Sequence, residues 1–172
     1  MYTGSCLCGA VRYEVDGPFA MMANCHCSMC RKHHGAMFST FVSAPDAGFR
    51  WISGQDNIET FPSSEQGRRP FCRTCGSVTP MLLPGMGMVF VPAGNLQEDP
   101  GLRPQMHMFT GSHASWYPIT DGLPQHEGYP PQFGGGMGVD RPKVLFKPGV
   151  TPGSCLCGAI AWEFTGKPER VQ

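Results

Sequence analysis

Apolar positions in this chain come in short runs that Gly and Pro interrupt. The stretch 7–15, LCGAVRYEV, ends in apolar residues that alternate with polar ones, and the turn sequence DGP follows it. Alternation with a period of two is typical of a strand with one buried face. Further strands are predicted at 36–43, 49–54, 57–64, 88–94 and 105–110. The pattern predicts a β meander, a mainly β fold of short antiparallel strands with little helix.

One stretch carries a helix signal. Residues 27–35, CSMCRKHHG, span about two turns and end in basic residues followed by a glycine, as helix C-termini prefer. Such a helix would lie directly beside three of the chain's cysteines.

The C-terminal part of the chain differs in amino-acid composition from the rest. From about residue 128 the sequence becomes GYPPQFGGGMGVDRP, whose Gly and Pro density is typical of a linker or an extended arm. We therefore expect a first domain over 1–127 and a Gly/Pro-rich linker or arm over 128–152.

The charge balance and hydropathy of the chain limit the kinds of molecule that it is expected to bind. The chain has 13 basic and 13 acidic residues, which gives no electrostatic footprint for nucleic acid or an anionic membrane surface. Its N-terminal residues lack the pattern of a secretory signal, and no apolar run is long enough for a membrane span. We expect a cytoplasmic protein whose partners are small molecules or proteins, and a homo-oligomer is compatible with this sequence.

The nine cysteines are the strongest chemical signal. Their odd number argues against a closed disulfide framework, and their spacing is that of metal ligands. C-x-C at Cys6 and Cys8 and C-x-x-C at Cys72 and Cys75 can offer four thiolates to one ion, which describes a closed structural zinc site.

The remaining cluster, Cys25, Cys27 and Cys30, supplies three ligands. Three protein ligands and an open position are the arrangement of catalytic zinc. From spacing alone two alternatives stay open: these cysteines share ligands with either pair, or a histidine or the tail cysteines complete a second structural site. An ion held by three thiolates would accept a soft thiol as its fourth ligand and hold it as the thiolate, the form that adds to an aldehyde.

The chain resembles the glutathione-dependent formaldehyde-activating enzyme family, which includes centromere-protein-V-like proteins and has an Mss4-like, zinc-stabilised β fold. The matching text is GSCLCGAVRYEV, NCHCSMCRKHHGAMFSTFV, FRWISG, FCRTCGS and HMFTGSHASWYPITDGLPQ, which together cover about residues 3–126. The resemblance implies two zinc ions per chain, one structural on Cys6, Cys8, Cys72 and Cys75 and one catalytic on Cys25, Cys27 and Cys30. It also implies a carbon–sulfur lyase that reversibly joins glutathione and formaldehyde to S-hydroxymethylglutathione.

Other side chains have a functional and a structural interpretation. Arg31 and Lys32 follow the third ligand and are placed to meet a glutathione carboxylate, or they form a solvated basic turn. We expect His26 to point away from the cluster, and His33 and His34 to be solvated or to contact substrate. Four aromatic residues line a pocket or, more typically, belong to the core: Phe38, Phe41, Trp51 and Trp116.

Two rival functions remain on the sequence alone. One is a zinc-stabilised binding module, and the other is a glutathione carrier without turnover. A fourth protein ligand beside Cys25, Cys27 and Cys30 would favour the binding module.

The opening strand is repeated near the C-terminus. GSCLCGAVRYEVDG at 4–17 and GSCLCGAIAWEFTG at 153–166 are identical at nine of fourteen positions. We expect residues 153–172 to be the truncated start of a second copy of the domain. The alternative is that the tail presents Cys155 and Cys157 to the open zinc and blocks the site.

Overall fold

The computed structural model of the chain describes residues 1–65, 67–138 and 148–166. Within them the fold is mainly β with a single α-helix, as predicted, and most strand pairs are antiparallel. The strands in chain order are β1 Tyr2–Ser5, β2 Arg12–Val15, β3 Met21–Cys25, β4 Ser39–Pro45, β5 Phe49–Ser53, β6 Ile58–Pro62, β7 Arg68–Cys72, β8 Met81–Leu83, β9 Met88–Pro92, β10 His107–Met108, β11 Gln125–His126, β12 Val150–Ser154 and β13 Ala161–Thr165.

The helix α1 spans Ser28–His34, close to the prediction of 27–35. Cys27 caps its start by accepting a hydrogen bond from the backbone N–H of Cys30, and Gly35 ends it in the left-handed conformation with a φ of 62°. In the part of the chain that the structure describes, this helix is too short to cross a bilayer, and no other helix is longer.

The strands form two larger sheets and two hairpins. One sheet has the order β1-β2-β5, and the other has the order β11-β10-β3-β4-β9-β8. The hairpins are β6-β7 and β12-β13. Apolar side chains from β2, β4 and β9 pack between the two sheets as the main core, which consists of Tyr13, Val15, Phe19, Val42, Ala44, Val89 and Val91.

Two parallel strand pairings attach β10, and β11 beyond it, to β3, the strand that ends at Cys25. β10 pairs in parallel with β3, with His107 opposite Asn24 and Met108 opposite Cys25. It also pairs in parallel with β11. A segment from the second half of the domain is therefore held against the strand that delivers Cys25.

The predicted domain division at residue 127 stays a prediction. Residues 128–138 contact the preceding domain, since the Phe109 N–H donates to the Gly128 carbonyl at 3.3 Å and the rings of Phe109 and Tyr129 lie 4.8 Å apart. Parts of the predicted linker, 139–147, and of the predicted second copy, 167–172, lie outside the described residues.

Candidate metal centres

The four-cysteine group consists of Cys6, Cys8, Cys72 and Cys75. Their Sγ atoms all lie within 4.8 Å of one another. Cys6 and Cys8 come from the turn between β1 and β2, whereas Cys72 ends β7 and Cys75 lies in the turn after it. Each turn contains a glycine with positive φ, Gly9 at 74° and Gly76 at 73°, which lets the chain fold back on its own sulfurs. The pairing predicted from C-x-C and C-x-x-C is therefore present as a spatial cluster.

Hydrogen bonds to sulfur support this group. The backbone N–H of Val11 donates to Cys6 Sγ at 3.3 Å, and Asn57 Nδ2 donates to Cys72 Sγ at 3.3 Å. Cys75 Sγ lies 3.3 Å from Ser77 Oγ, and hydrogen bonds from the Ser77 side chain and backbone lower the pKa of Cys75 to about 5. Such donors favour thiolates, so the group has the chemistry of a closed four-ligand metal site.

The three-cysteine group consists of Cys25, Cys27 and Cys30. Cys25 ends β3, Cys27 caps α1, and Cys30 lies in the first turn of that helix. All three are buried, and their Sγ atoms lie within 4.8 Å of one another. Within residues 1–65, 67–138 and 148–166, no fourth His, Cys, Asp or Glu ligand atom joins them. The group can hold a metal ion with one position left for another ligand.

A cation lies beside this group. Arg69 Nη1, on β7, is 3.6 Å from Cys30 Sγ. Hydrogen bonds from the thiols of Cys25 and Cys27, together with the charge of Arg69, hold the pKa of Cys30 well below its usual value. The same sharing raises the pKa of Cys25. When the three thiols lose their first proton, the negative charge is therefore held mainly by Cys30 Sγ, beside the Arg69 guanidinium.

The walls of the three-cysteine group are apolar. Met29, Phe109 and Leu156 pack with the three sulfurs, and Phe41, Phe61 and Met108 flank them. Phe109 has a φ of 58°, a left-handed conformation that costs a bulky residue roughly 1–3 kcal/mol. Packing of the Phe109 ring in this cluster and against Tyr129 offsets that strain. The sulfurs are therefore shielded from water by side chains of low polarity.

His26 and His107 are buried and form a hydrogen-bonded triad with the half-exposed Asp121. Nε2 of His26 lies 2.7 Å from Nδ1 of His107, whose Nε2 lies 3.0 Å from the carboxylate of Asp121. Burial lowers the pKa of His26 to about 4, so its ring is neutral at pH 7. The Asp121 carboxylate has no proton to give, so it accepts its hydrogen bond from Nε2 of His107.

The hydrogen bonds among His26, His107 and Asp121 hold the backbone in place between two of the cysteines. His26 lies between Cys25 and Cys27, and its ring points to His107 on β10 instead of to the sulfurs. Nδ1 of His26 is buried and has no hydrogen-bond partner among the described residues. Sequence reasoning missed the pairing because His107 lies 81 residues from His26 and no spacing rule joins them.

The two predicted carboxylate-binding residues have other partners in this structure. Arg31 Nε donates to the backbone carbonyl of His26 at 3.3 Å. Lys32 Nζ donates to the carbonyl of Ser154 at 2.8 Å and to its hydroxyl at 2.5 Å. Their predicted role toward substrate stays a prediction.

The remaining candidates are divided between the core and the surface. The Phe38 ring lies 5.1 Å from the ring of His26, and Trp51 packs on the main core. Trp116 is 62% exposed. The Nε2 atoms of His33 and His34 are buried, so neither ring is fully solvated, and this burial lowers the pKa of His33 to about 4 and also lowers the pKa of His34.

A cavity of about 350 Å³ lies beside the three-cysteine group. One wall comes from α1 and the β6-β7 hairpin, including Lys32, His33 and Phe61. The other wall is the turn of the β12-β13 hairpin, at Cys155, Leu156 and Cys157. The tail hairpin therefore contributes to the surroundings of the candidate site.

Two curated proteins are similar to part of this chain. A protein of Halomonas elongata named "Putative glutathione-dependent formaldehyde-activating enzyme" is 34% identical over 80 residues, which are 43% of this chain and 51% of that protein. An uncharacterized lyase of Schizosaccharomyces pombe is 29% identical over 76 residues, which are 44% of this chain and 53% of that protein. The chain spans about half the length of these curated relatives.

Two further matches concern structure and family. A crystal structure of a Rhodobacter sphaeroides protein is 29% identical, with a TM-score of 0.46 over 59% of this chain and 91% of that one. The family model described as glutathione-dependent formaldehyde-activating enzyme matches residues 1–112, which is more than half of the chain and includes both cysteine groups. The chain therefore belongs to the glutathione-dependent formaldehyde-activating enzyme family.

Proposed function

We propose that the chain is a zinc-dependent carbon–sulfur lyase of the formaldehyde-activating type. It would reversibly join a thiol such as glutathione to formaldehyde or another small aldehyde and so form S-hydroxymethylglutathione or its analogue. The observation that carries the proposal is the three-cysteine group, whose three buried sulfurs lie together with no fourth ligand atom among the described residues. Its position inside the family-matched segment supports the same activity.

The donor sets fit two zinc ions per chain. Four clustered thiols with N–H donors suit a structural ion on Cys6, Cys8, Cys72 and Cys75. Three clustered thiols suit a catalytic ion on Cys25, Cys27 and Cys30. Bound at the second group, zinc would hold the substrate sulfur as a thiolate near neutral pH.

The reaction needs one bond to form and one proton to move. The substrate sulfur forms a bond to the aldehyde carbon, the π electrons of the carbonyl move to its oxygen, and that oxygen takes up the proton that the thiol has lost. In the reverse direction the carbon–sulfur bond breaks. Arg69 places a positive charge 3.6 Å from Cys30 Sγ, where it can stabilise negative charge on a sulfur or on the developing alkoxide.

The apolar walls have a complementary role. Met29, Phe109 and Phe41 border the sulfurs and limit the access of water. A charge interaction is stronger in such surroundings than in water, so Arg69 acts with less screening. We keep Arg31 and Lys32 as the proposed contacts for a carboxylate of the thiol substrate, at the edge of the same site.

The test combines kinetics and metal analysis. Wild-type protein should form S-hydroxymethylglutathione from glutathione and formaldehyde faster than the uncatalysed mixture. Cys27→Ser should abolish this acceleration and lower zinc content by about one ion per chain, because one ligand of a three-ligand site is lost. Cys157→Ser is the matched control, since Cys157 is exposed and lies outside both groups, and it should change neither quantity.

The rival functions predict other outcomes. No acceleration by wild-type protein together with measurable glutathione binding would support a carrier. Neither acceleration nor binding would support a binding module. A cytoplasmic location belongs to this proposal, because glutathione is plentiful there and all nine cysteines are free thiols in this structure.

A further inference from the structure

The two GSCLCGA segments fold in the same way. In the first hairpin Gly4 pairs with Tyr13 and Ser5 with Arg12, and in the second Gly153 pairs with Trp162 and Ser154 with Ala161. Every residue in the pairs of the second hairpin lies 149 positions after its counterpart in the first hairpin. The turns also match, since the Cys6 N–H donates to the Val11 carbonyl and the Cys155 N–H to the Ile160 carbonyl. The tail hairpin is therefore a structural copy of the first hairpin.

The central leucines of the two copies have opposite surroundings. Leu7 is 87% exposed, whereas Leu156 is 7% exposed. Leu156 packs in the same cluster as Cys25, Cys27 and Cys30. Because the sequence and local fold around these leucines are the same, the difference arises from docking of the tail on the site.

The structure also explains why the leucine enters the site and not the cysteines. In the tail turn, Leu156 packs with the three-cysteine group, whereas the sulfurs of the cysteines on either side of it lie next to each other. Cys155 and Cys157 lie with their sulfurs 3.3 Å apart, and neither belongs to the three-cysteine group. The sequence alternative of a tail that offers these thiols to the open position does not match this arrangement.

A second contact holds the hairpin in place. Lys32, two residues after Cys30, donates hydrogen bonds to the carbonyl and the hydroxyl of Ser154. The same lysine is the proposed contact for a substrate carboxylate. An acidic thiol would therefore compete with Ser154 for Lys32 and with Leu156 for the space over the sulfurs.

We infer that the β12-β13 hairpin is a lid over the three-cysteine group, with Leu156 as its plug. Thiols that also carry a carboxylate, such as peptide thiols, are best able to displace it, because they replace both contacts at once. The hairpin is suited to movement, since among the described residues it pairs with no other strand. This inference rests on the proposed function only for the identity of the ligand that opens the lid.

The test uses the whole chain of residues 1–172 after it has been loaded with zinc. The rate of alkylation by iodoacetamide is followed by mass spectrometry on the peptide that contains Cys25, Cys27 and Cys30. Leu156→Asp should raise this rate roughly tenfold to a hundredfold, since burial of a leucine favours the closed state by about that factor. Leu7→Asp changes the identical position of the exposed copy and should leave the rate unchanged.

Two further readouts keep the result unambiguous. Labelling of Cys72 and Cys75 should be the same in all variants, which shows that the fold is intact, and Leu156→Ala should give a smaller increase than Leu156→Asp. Equal labelling of wild type and both Leu156 variants would overturn the lid. Faster labelling without lyase activity in any variant supports the lid and counts against the proposed function, whereas lyase activity with equal labelling does the reverse.

Discussion

The first hairpin, residues 2–15, and the tail hairpin, residues 150–165, are similar in sequence and have the same strand register. They differ in the residues that pack around them. In the first, Tyr13 and Val15 are buried in the main core. Their counterparts Trp162 and Phe164 are 54% and 38% exposed. Strand β2 pairs with β5, whereas β13 has only β12 as a partner among the described residues.

This comparison separates what the local sequence specifies from what the rest of the molecule adds. The local sequence specifies a hairpin whose C-x-C turn presents two sulfurs on one side, as in both copies. The rest of the molecule decides whether those sulfurs meet Cys72 and Cys75, and whether the apolar side of the hairpin is covered. The same segment thus serves as a candidate metal knuckle in one place and as a candidate lid in the other.

The largest expected difference between the hairpins concerns metal and folding. Cys6→Ser should remove the structural ion and with it cooperative unfolding, because structural zinc supplies about 10–16 kcal/mol in small domains, as much as a typical domain's whole stability. Cys155→Ser should keep the zinc content and the melting curve of wild type. Zinc analysis and thermal melting by circular dichroism check both. A Cys6→Ser protein that keeps its zinc and its melting transition would contradict a structural role for the four-cysteine group.

A smaller difference is expected for the aromatic residues. Tyr13→Ala should lower the free energy of unfolding by about 3–5 kcal/mol, because it leaves a cavity in the core, whereas Trp162→Ala should cost less than about 1 kcal/mol. Tyr13→Phe should be neutral or slightly stabilising, since the Tyr13 hydroxyl is buried without a hydrogen-bond partner among the described residues. Urea denaturation measures all three. Equal costs for the two alanine variants would show that the tail hairpin is as well packed as the first.

The sequence predicts those features that depend on local pattern. The spacing of the cysteines predicts that the C-x-C and C-x-x-C pairs meet, although spacing alone leaves open whether Cys25, Cys27 and Cys30 form a separate group, and β5, β6 and β9 lie within the predicted runs. The predicted strand at 7–15 begins only at Arg12, because residues 6–11 form the turn that carries Cys6 and Cys8.

The features that the sequence does not predict are those that depend on distant contacts or on weak patterns. Strand β3, MMANC, is buried at four of five positions and so lacks alternation, while β7, RRPFC, contains two arginines and a proline. Arg69 approaches Cys30 across 39 residues, and Leu156 reaches the same group from the tail hairpin. No spacing rule covers such contacts, since tertiary packing alone creates them.

The smallest expected effect is a difference in thiol ionisation within the tail. A hydrogen bond from the Ile160 N–H, assisted by the Cys157 side chain, lowers the pKa of Cys155 to about 7. Since the thiolate is the reactive form, alkylation of Cys155 should rise with pH and reach half of its plateau rate near pH 7. Cys157→Ala removes one of these interactions and should move the midpoint upward, toward the ordinary thiol value near 9.

The measurement is peptide-resolved alkylation between pH 5 and 10, with Cys157→Ser as the matched control because a serine hydroxyl can still donate to the thiolate. Because the pKa of Cys155 is about 7, its side chain is mostly the thiol below that pH and mostly the thiolate above it. A midpoint near 9 in wild-type protein would show that the two tail sulfurs do not form the compact C-x-C turn of the first hairpin. The lid would then have to act through Leu156 on a differently folded loop, and the parallel between the two hairpins would end at β12 and β13.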